Sequence, residues 1–184
     1  MKRGTPMNQT TQKITVIAAG IALFVALSLC LQVPVFENYY LCLGYVVMAV
    51  YCYSFGTAAG TVAGVLGVVL YCLLINGLRG MPGWALGNVV IGVILGLAFG
   101  ATKKVRNPLV RTALNIAAIA AAVALGILIV KSLTESVLYG QIMGARIAKN
   151  MAAFIADLVM LVVSLPVCEL LDKVVRKMFP RLVQ

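Results

Sequence analysis

The chain has 184 residues, of which 62% are hydrophobic and 11% are charged, and its net charge is +10. A soluble domain carries about 25% charged residues, so this composition excludes a soluble globular protein and predicts an integral membrane protein. The chain has no histidine, and its five cysteines form no C-x-x-C pair, which argues against metal, redox and histidine-dependent catalytic sites and against an enzyme.

Six hydrophobic segments are long enough, or nearly so, to cross the hydrocarbon layer as helices, which takes about 20 residues. The predicted fold is an all-α integral membrane bundle of six transmembrane helices that form one domain over residues 1–184. The second segment is short and continues almost directly into the third, so its boundary is the least defined. In chain order the predicted spans are 14–33, 40–55, 58–78, 84–101, 109–130 and 147–171.

Positive charge is concentrated on one side of this predicted bundle. Because cytoplasmic loops carry an excess of Lys and Arg, both termini are predicted to be cytoplasmic in a multi-pass protein of the cell membrane. Topology therefore accounts for the charge, and no nucleic-acid partner is expected. The outer side receives only Arg79, Lys131, Arg146 and Lys149, whereas the cytoplasmic side receives Lys2, Arg3, Lys13, Lys103, Lys104, Arg106, Arg111, Lys173, Arg176, Lys177 and Arg181.

Small residues recur every fourth position in three predicted helices, which lets helices approach closely in lipid. The glycine series Gly56, Gly60, Gly64 and Gly92, Gly96, Gly100 predict packing inside the bundle. The first helix instead carries a smooth ridge of alanines, which suits docking against a partner helix, although packing within the bundle is an alternative. That ridge consists of Ala18, Ala22 and Ala26.

Two outer connections combine aromatic, amide and charged groups. The first, "VPVFENYYLCLGY", contributes Asn38, Tyr39 and Tyr40 as candidate ligand contacts, with aromatic anchoring at the membrane interface as the alternative. The second, "INGLRGMPGWALGN", is predicted to form the lid and wall of a ligand site. Its candidates are Asn76, Arg79, Trp84 and Asn88; interfacial anchoring by Trp84 and lipid-headgroup binding by Arg79 are the alternatives.

The sixth predicted helix carries a polar stripe that runs inward from the outer surface. Arg146, Asn150 and Asp157 share one helix face, and Asp157 lies near mid-membrane. Polar groups at this depth are costly, so the stripe is a candidate ligand site, with a structural hydrogen-bond network as the alternative. Near the cytoplasmic side we predict that Asn115 hydrogen-bonds a neighbouring helix, and that Glu169 and Asp172 are solvated interface charges.

The first-helix alanines, the segment "LGYVVMAVYCYSFGTAAGTVAGVLGVVLYCLL" and the segment "GLAFGATKKVRN" occur together in a six-span chain of about 180 residues. In this combination the sequence resembles an S-component of energy-coupling factor (ECF) transporters, in the riboflavin-transporter-like branch. The resemblance implies a substrate-binding membrane subunit of a bacterial vitamin importer. It also implies docking through Ala18, Ala22 and Ala26 onto an EcfT-like transmembrane coupling protein that works with two cytoplasmic ATPases.

The resemblance implies a small heterocyclic vitamin as the ligand without choosing among riboflavin, cobalamin and queuosine precursors; the prediction leans to cobalamin or another bulky ring compound. The chain has no G-x-x-x-x-G-K-[ST] phosphate loop. ATP is therefore expected to be used by partner subunits, and no cofactor is expected in this chain. A self-sufficient secondary transporter or channel is the alternative, although the sequence lacks the internal repeat typical of such proteins.

Overall fold

The computed structural model describes residues 8–30, 33–36, 39–75, 77–180 and 182. Helices joined by short turns make up most of this part of the chain, and residues 33–41 include one short antiparallel hairpin, in which Val33 pairs with Leu41. The elements are α1 (Gln9–Cys30), β1 (Val33–Phe36), β2 (Tyr39–Leu41), α2 (Gly44–Ser54), α3 (Thr57–Leu74), α4 (Met81–Thr102), α5 (Pro108–Val123), a π-helical segment (Ala124–Lys131, the π segment), α6 (Ser132–Tyr139) and α7 (Met143–Met178).

Five helical stretches are long and apolar enough to cross a membrane. They correspond to α1, α3, α4, α7 and the continuous helix Pro108–Tyr139, which contains α5, the π segment and α6. The predicted second span, 40–55, is instead the 11-residue α2, preceded by β2. At 1.5 Å per residue α2 extends about 16 Å, roughly half of the hydrocarbon thickness. Six complete spans are therefore not confirmed.

The connection predicted over 131–146 is also much shorter than expected. Helical structure continues to Tyr139, where Gly140 adopts a left-handed conformation with φ of 62° and ends α6. A glycine adopts this conformation without steric cost, which explains the sharp stop. Only residues 140–142 separate α6 from α7, so Lys131 and Glu135 belong to a helix of the bundle.

The centre of the bundle is α2, which packs against α1, α3, α4 and α7. All of its residues except Val46 are buried. A helix that is apolar on all sides is stable only when it is enclosed, and here neighbouring helices rather than lipid enclose it.

Glycines allow the helices around α2 to approach closely, as predicted for most of both glycine series. A Cβ atom at Gly60 would collide with the Cys52 sulfur, and one at Gly96 would collide with the Thr57 Cα atom. Gly64 and Gly92 are similarly close to their neighbours. Gly100, by contrast, has no such neighbour within 4 Å, so it does not contribute to this packing.

One end of the bundle, which we call the basic end, contains the α4–α5 connection and the last turns of α7. Here the prediction of solvated acidic side chains is wrong for Asp172, which is buried and accepts from Arg176 Nε at 2.7 Å while Lys103 Nζ lies at 3.4 Å. Glu169 pairs with Arg111 at 2.7 Å. Arg176 belongs to α7 itself, whereas Lys103 follows α4 and Arg111 belongs to α5. The pairs with Lys103 and Arg111 therefore link α7 to its neighbours, and Glu169 remains partly exposed. The predicted bond of Asn115 is confirmed, since it accepts from Thr102 at 2.6 Å.

Candidate ligand-binding site

A group of polar side chains lies inside the apolar bundle toward the opposite end, which we call the hairpin end because it contains β1 and β2. Buried polar groups in a membrane protein are costly and usually mark a functional site. Five elements supply the group, which we call the polar cluster: Tyr45 from α2, Trp84 and Asn88 from α4, Lys131 from the π segment, Ser132 and Glu135 from α6, and Arg146, Asn150 and Asp157 from α7.

The Tyr45 hydroxyl is the centre of one half of the polar cluster. It accepts a hydrogen bond from Trp84 Nε1 at 2.8 Å and donates one to Asn88 Oδ1 at 2.8 Å. The Asn88 amide nitrogen donates to the Gly64 carbonyl at 3.1 Å, which fixes the orientation of the amide. Asp157 lies against the same Tyr45 hydroxyl. A hydroxyl has one proton to donate, so the Asn88 oxygen and the Asp157 carboxylate compete for it.

Asn150 is the centre of the other half. Its amide nitrogen donates to Ser132 Oγ at 2.9 Å and to Glu135 Oε2 at 3.2 Å. Glu135 is also 3.6 Å from Arg146 Nε, a buried nitrogen with no hydrogen-bond partner among the described residues. Arg146 thus forms an ion pair with Glu135 while its Nε–H group is left to donate a hydrogen bond to a polar group of a ligand.

Lys131 connects the two halves of the polar cluster. Its ammonium is 5.9 Å from the centre of the Trp84 ring, and it interacts electrostatically with Asp157 and Glu135. With Arg146, the polar cluster thus holds two cations and two carboxylates, so its formal net charge is zero. This arrangement offers amide, hydroxyl and carboxylate groups beside an indole ring, which suits an uncharged heterocycle with polar edges.

The structure brings together five of the predicted ligand contacts: Trp84, Asn88, Arg146, Asn150 and Asp157. Arg79 lies apart and is exposed. Its guanidinium is 5.1 Å from the centre of the Tyr139 ring, and its carbonyl accepts from the Tyr139 hydroxyl. Asn38 and Asn76 lie outside the described residues, and for Tyr39 and Tyr40 only the backbone, in β2, is described.

Sequence reasoning missed Tyr45, Lys131, Ser132 and Glu135. The hydrophobic run ends at Val130, so the sequence pattern predicts a loop for the residues that follow. Glu135 nevertheless lies four residues after Lys131, a spacing that places both on one helical face and would have indicated a continuing helix. Tyr45 gives no comparable signal, because a tyrosine near the start of a span is usually an interfacial anchor.

The alanine ridge on α1 faces away from the bundle. Ala18, Ala22 and Ala26 are all exposed, whereas Gly20 and Phe24 on the opposite face are buried. In the part of the chain that the structure describes, the ridge therefore does not serve packing between helices of this chain. It remains available to another protein or to lipid.

Comparison with known families then places the chain beside a transporter family. The family described as ECF-type riboflavin transporter, S component, matches residues 8–173, a range that includes the alanine ridge and the whole polar cluster. No curated protein matches the chain.

Proposed function

Since the chain belongs to the family of ECF-type riboflavin transporter S components, it is a substrate-specific membrane subunit of an ECF importer, and we propose that the polar cluster captures the transported vitamin. The observation that carries this proposal is the location of the polar cluster inside the matched range. Nine polar side chains from five elements converge in a bundle whose interior is mostly apolar, and polar groups at such a place indicate a functional site.

The basic end faces the cytoplasm in this proposal, and the polar cluster is reached from outside the cell. Cations such as Lys104, Arg106, Lys173 and Lys177 lie at the basic end, which supports this orientation by the positive-inside rule. Both termini are then cytoplasmic, because α1 begins and α7 ends at that end.

The ligand we propose is riboflavin or a closely related neutral heterocycle. The description of the matched family names riboflavin. The chemistry of the polar cluster agrees with such a ligand, because the Trp84 indole can stack on a flat ring while Asn88, Asn150 and Asp157 hydrogen-bond its polar edges. The balanced charge disfavours an anionic phosphate ester. Nothing in the polar cluster supports the sequence-based preference for cobalamin. Cobalamin is therefore the competing ligand in the binding experiment.

Transport in this proposal requires partners. The family implies an EcfT-like coupling protein and two ATPases, and the exposed ridge Ala18, Ala22 and Ala26 is the surface we assign to the coupling protein. A row of small side chains lets a partner helix approach closely in lipid. ATP is hydrolysed by the partners, and this chain catalyses no reaction itself.

Titration of the purified protein with riboflavin, followed by quenching of flavin fluorescence, tests the proposal. We expect saturable binding that excess cobalamin does not displace. Asp157→Asn should weaken binding by about tenfold or more, because it removes a buried charge beside Tyr45 and Lys131. The matched control Glu169→Gln at the basic end should bind as the wild type does.

Two results would contradict the proposal. Preferential binding of cobalamin would refute the ligand, and equal affinity of Asp157→Asn and Glu169→Gln would refute the site. Uptake of riboflavin by the purified chain alone in liposomes would favour the secondary-transporter alternative, because an S-component needs the ATP-driven module.

A further inference from the structure

We infer that the π segment Ala124–Lys131 is a positioning element of the ligand site. It contains one residue more than an α-helix would need over the same number of turns, and this surplus residue sets the rotation of α6 so that Ser132 and Glu135 face α7. The inference rests on the proposed function, because Ser132 and Glu135 belong to the polar cluster that we assign to the ligand. It adds a structural element to that site: apart from its last residue, Lys131, which belongs to the polar cluster, the π segment acts through the residues that it positions.

The spacing of buried residues along this helix reveals the surplus residue. Ile119, Val123 and Ile127 are buried and follow one another at intervals of four, as expected for one face of an α-helix. The buried residue that follows Ile127 is Ser132, five positions later. An interval of five is the hydrogen-bond spacing of a π-helix, and the π segment spans this interval.

An uninterrupted α-helix would direct different residues into the bundle. At 100° per residue, Ser132 would lie about 140° and Glu135 about 80° around the helix from Ile127. Leu138 would then face inward, since it lies eleven residues, or three turns, after Ile127. In the structure Leu138 is 54% exposed and Glu135 is 4% exposed. The π segment therefore places Glu135, rather than Leu138, on the face that packs against α7.

Local contacts explain why the helix widens at this place. A Cβ atom on Gly126 would lie 2.8 Å from the Gly87 carbonyl oxygen, so two glycines hold the start of the π segment directly against the backbone of α4. At the other end the Ser132 hydroxyl donates to the Ile127 carbonyl at 3.3 Å, five residues earlier. Side-chain hydroxyls commonly satisfy carbonyls that an altered helix leaves unpaired in a membrane.

Removing or adding one residue tests the inference directly. Deletion of Ile129, which is 48% exposed, changes the interval from Ile127 to Ser132 from five to four, so an ordinary α-helix keeps Ser132 and Glu135 in place. Insertion of one alanine after Ile129 adds a second surplus residue. In a helix without a π segment, both changes would rotate α6 by about 100° and disturb the site equally. The inference instead predicts that only the insertion is disruptive.

Two measurements are made on each variant. Riboflavin titration reports the ligand site, and cross-linking of Ser132→Cys to Asn150→Cys by a short bifunctional thiol reagent reports the position of α6 without any ligand. Single-cysteine variants show the background from native cysteines. Deletion of Val137, downstream of Glu135, is the matched control for shortening the helix.

We expect the Ile129 and Val137 deletions to retain the cross-link and to bind riboflavin within about threefold of the wild type. The insertion should lose the cross-link and weaken binding by about tenfold or more, because Glu135 and Ser132 no longer reach Asn150. If deletion of Ile129 does not yield inserted protein, deletion of Val130, which also lies between Ile127 and Ser132 within the π segment, carries the same expectation.

The inference is wrong if both deletions within the π segment abolish the cross-link, or if the insertion leaves it intact. These outcomes are separable from failure of the proposed function. A wild-type protein that does not bind riboflavin, in a series that still shows the expected cross-linking pattern, would refute the proposed ligand and support the positioning role of the π segment.

Discussion

Replacing Glu135 with alanine tests how the buried half of the polar cluster around Asn150 is stabilised. The Glu135 carboxylate accepts a hydrogen bond from Asn150 at 3.2 Å and lies 3.6 Å from Arg146 Nε. Loss of the hydrogen bond costs about 1 kcal/mol. A buried charge that loses its partner costs about 3–5 kcal/mol, and we take about 2 kcal/mol here because the Arg146 side chain is 16% exposed and the pair is longer than a hydrogen bond.

The expected decrease in the free energy of unfolding is therefore about 3 kcal/mol for Glu135→Ala. It can be measured by titrating the ligand-free protein in mixed micelles with a denaturing detergent. Adding Arg146→Met to this variant removes the stranded cation, so the double variant should be about 2 kcal/mol more stable than the sum of the two single effects. Glu169→Ala, which breaks a more exposed ion pair, should cost about 1 kcal/mol or less.

Additivity of the two substitutions would refute this reasoning. If the double variant lost the sum of the single effects within about 0.5 kcal/mol, Glu135 and Arg146 would not be coupled as their geometry indicates. A decrease for Glu135→Ala no larger than that for Glu169→Ala would also contradict the assigned burial.

Three further predictions concern other parts of the molecule. Ala22→Trp should abolish ATP-dependent uptake with the coupling module while riboflavin binding persists, whereas Leu97→Trp on the exposed face of α4 should leave both intact; wild-type uptake by Ala22→Trp would contradict the docking role. Gly60→Ala should lower the thermal unfolding midpoint, at a cost of about 2–3 kcal/mol from collision with Cys52, and Gly100→Ala should not, because it has no neighbour within 4 Å. Trp84→Ala should weaken riboflavin binding by about tenfold or more, and Arg79→Ala by less than about threefold; the reverse order in a fluorescence titration would place the ligand at the α3–α4 turn.

The long helices could be predicted from sequence because each must cover its length in lipid with apolar side chains. Hydropathy therefore located α1, α3, α4 and the helices that begin at Pro108 and Met143. It could not locate the ends of the last two, since a membrane helix that extends beyond the apolar layer or lies against other helices tolerates residues such as Lys131 and Glu135. Hydropathy also cannot predict the length of α2, because this helix is enclosed by other helices and does not have to match the thickness of the bilayer.

The candidate site was predicted in part for a related reason. Trp84, Asn88, Asn150 and Asp157 are polar or amphipathic residues within or beside apolar runs, and such exceptions are visible in a sequence. Their partners depend on how helices rotate against one another. The five-residue interval before Ser132 shifts the inward face by one position, and a search for a regular period of 3.6 residues cannot detect such a shift.

Most membrane helices must both pack against other helices and present an apolar surface to lipid, but α2 is enclosed and has only the first requirement. Its side chains meet other side chains rather than lipid, so a substitution at Tyr45 or Met48 alters the interior without altering the hydrophobic surface that keeps the protein inserted. The alanine ridge lies on the face of α1 that points away from α2, opposite Phe24, which contacts the Tyr45 ring. Under the proposed function, a substitution at Tyr45 can therefore change which ligand is recognised while the lipid-facing surface stays the same.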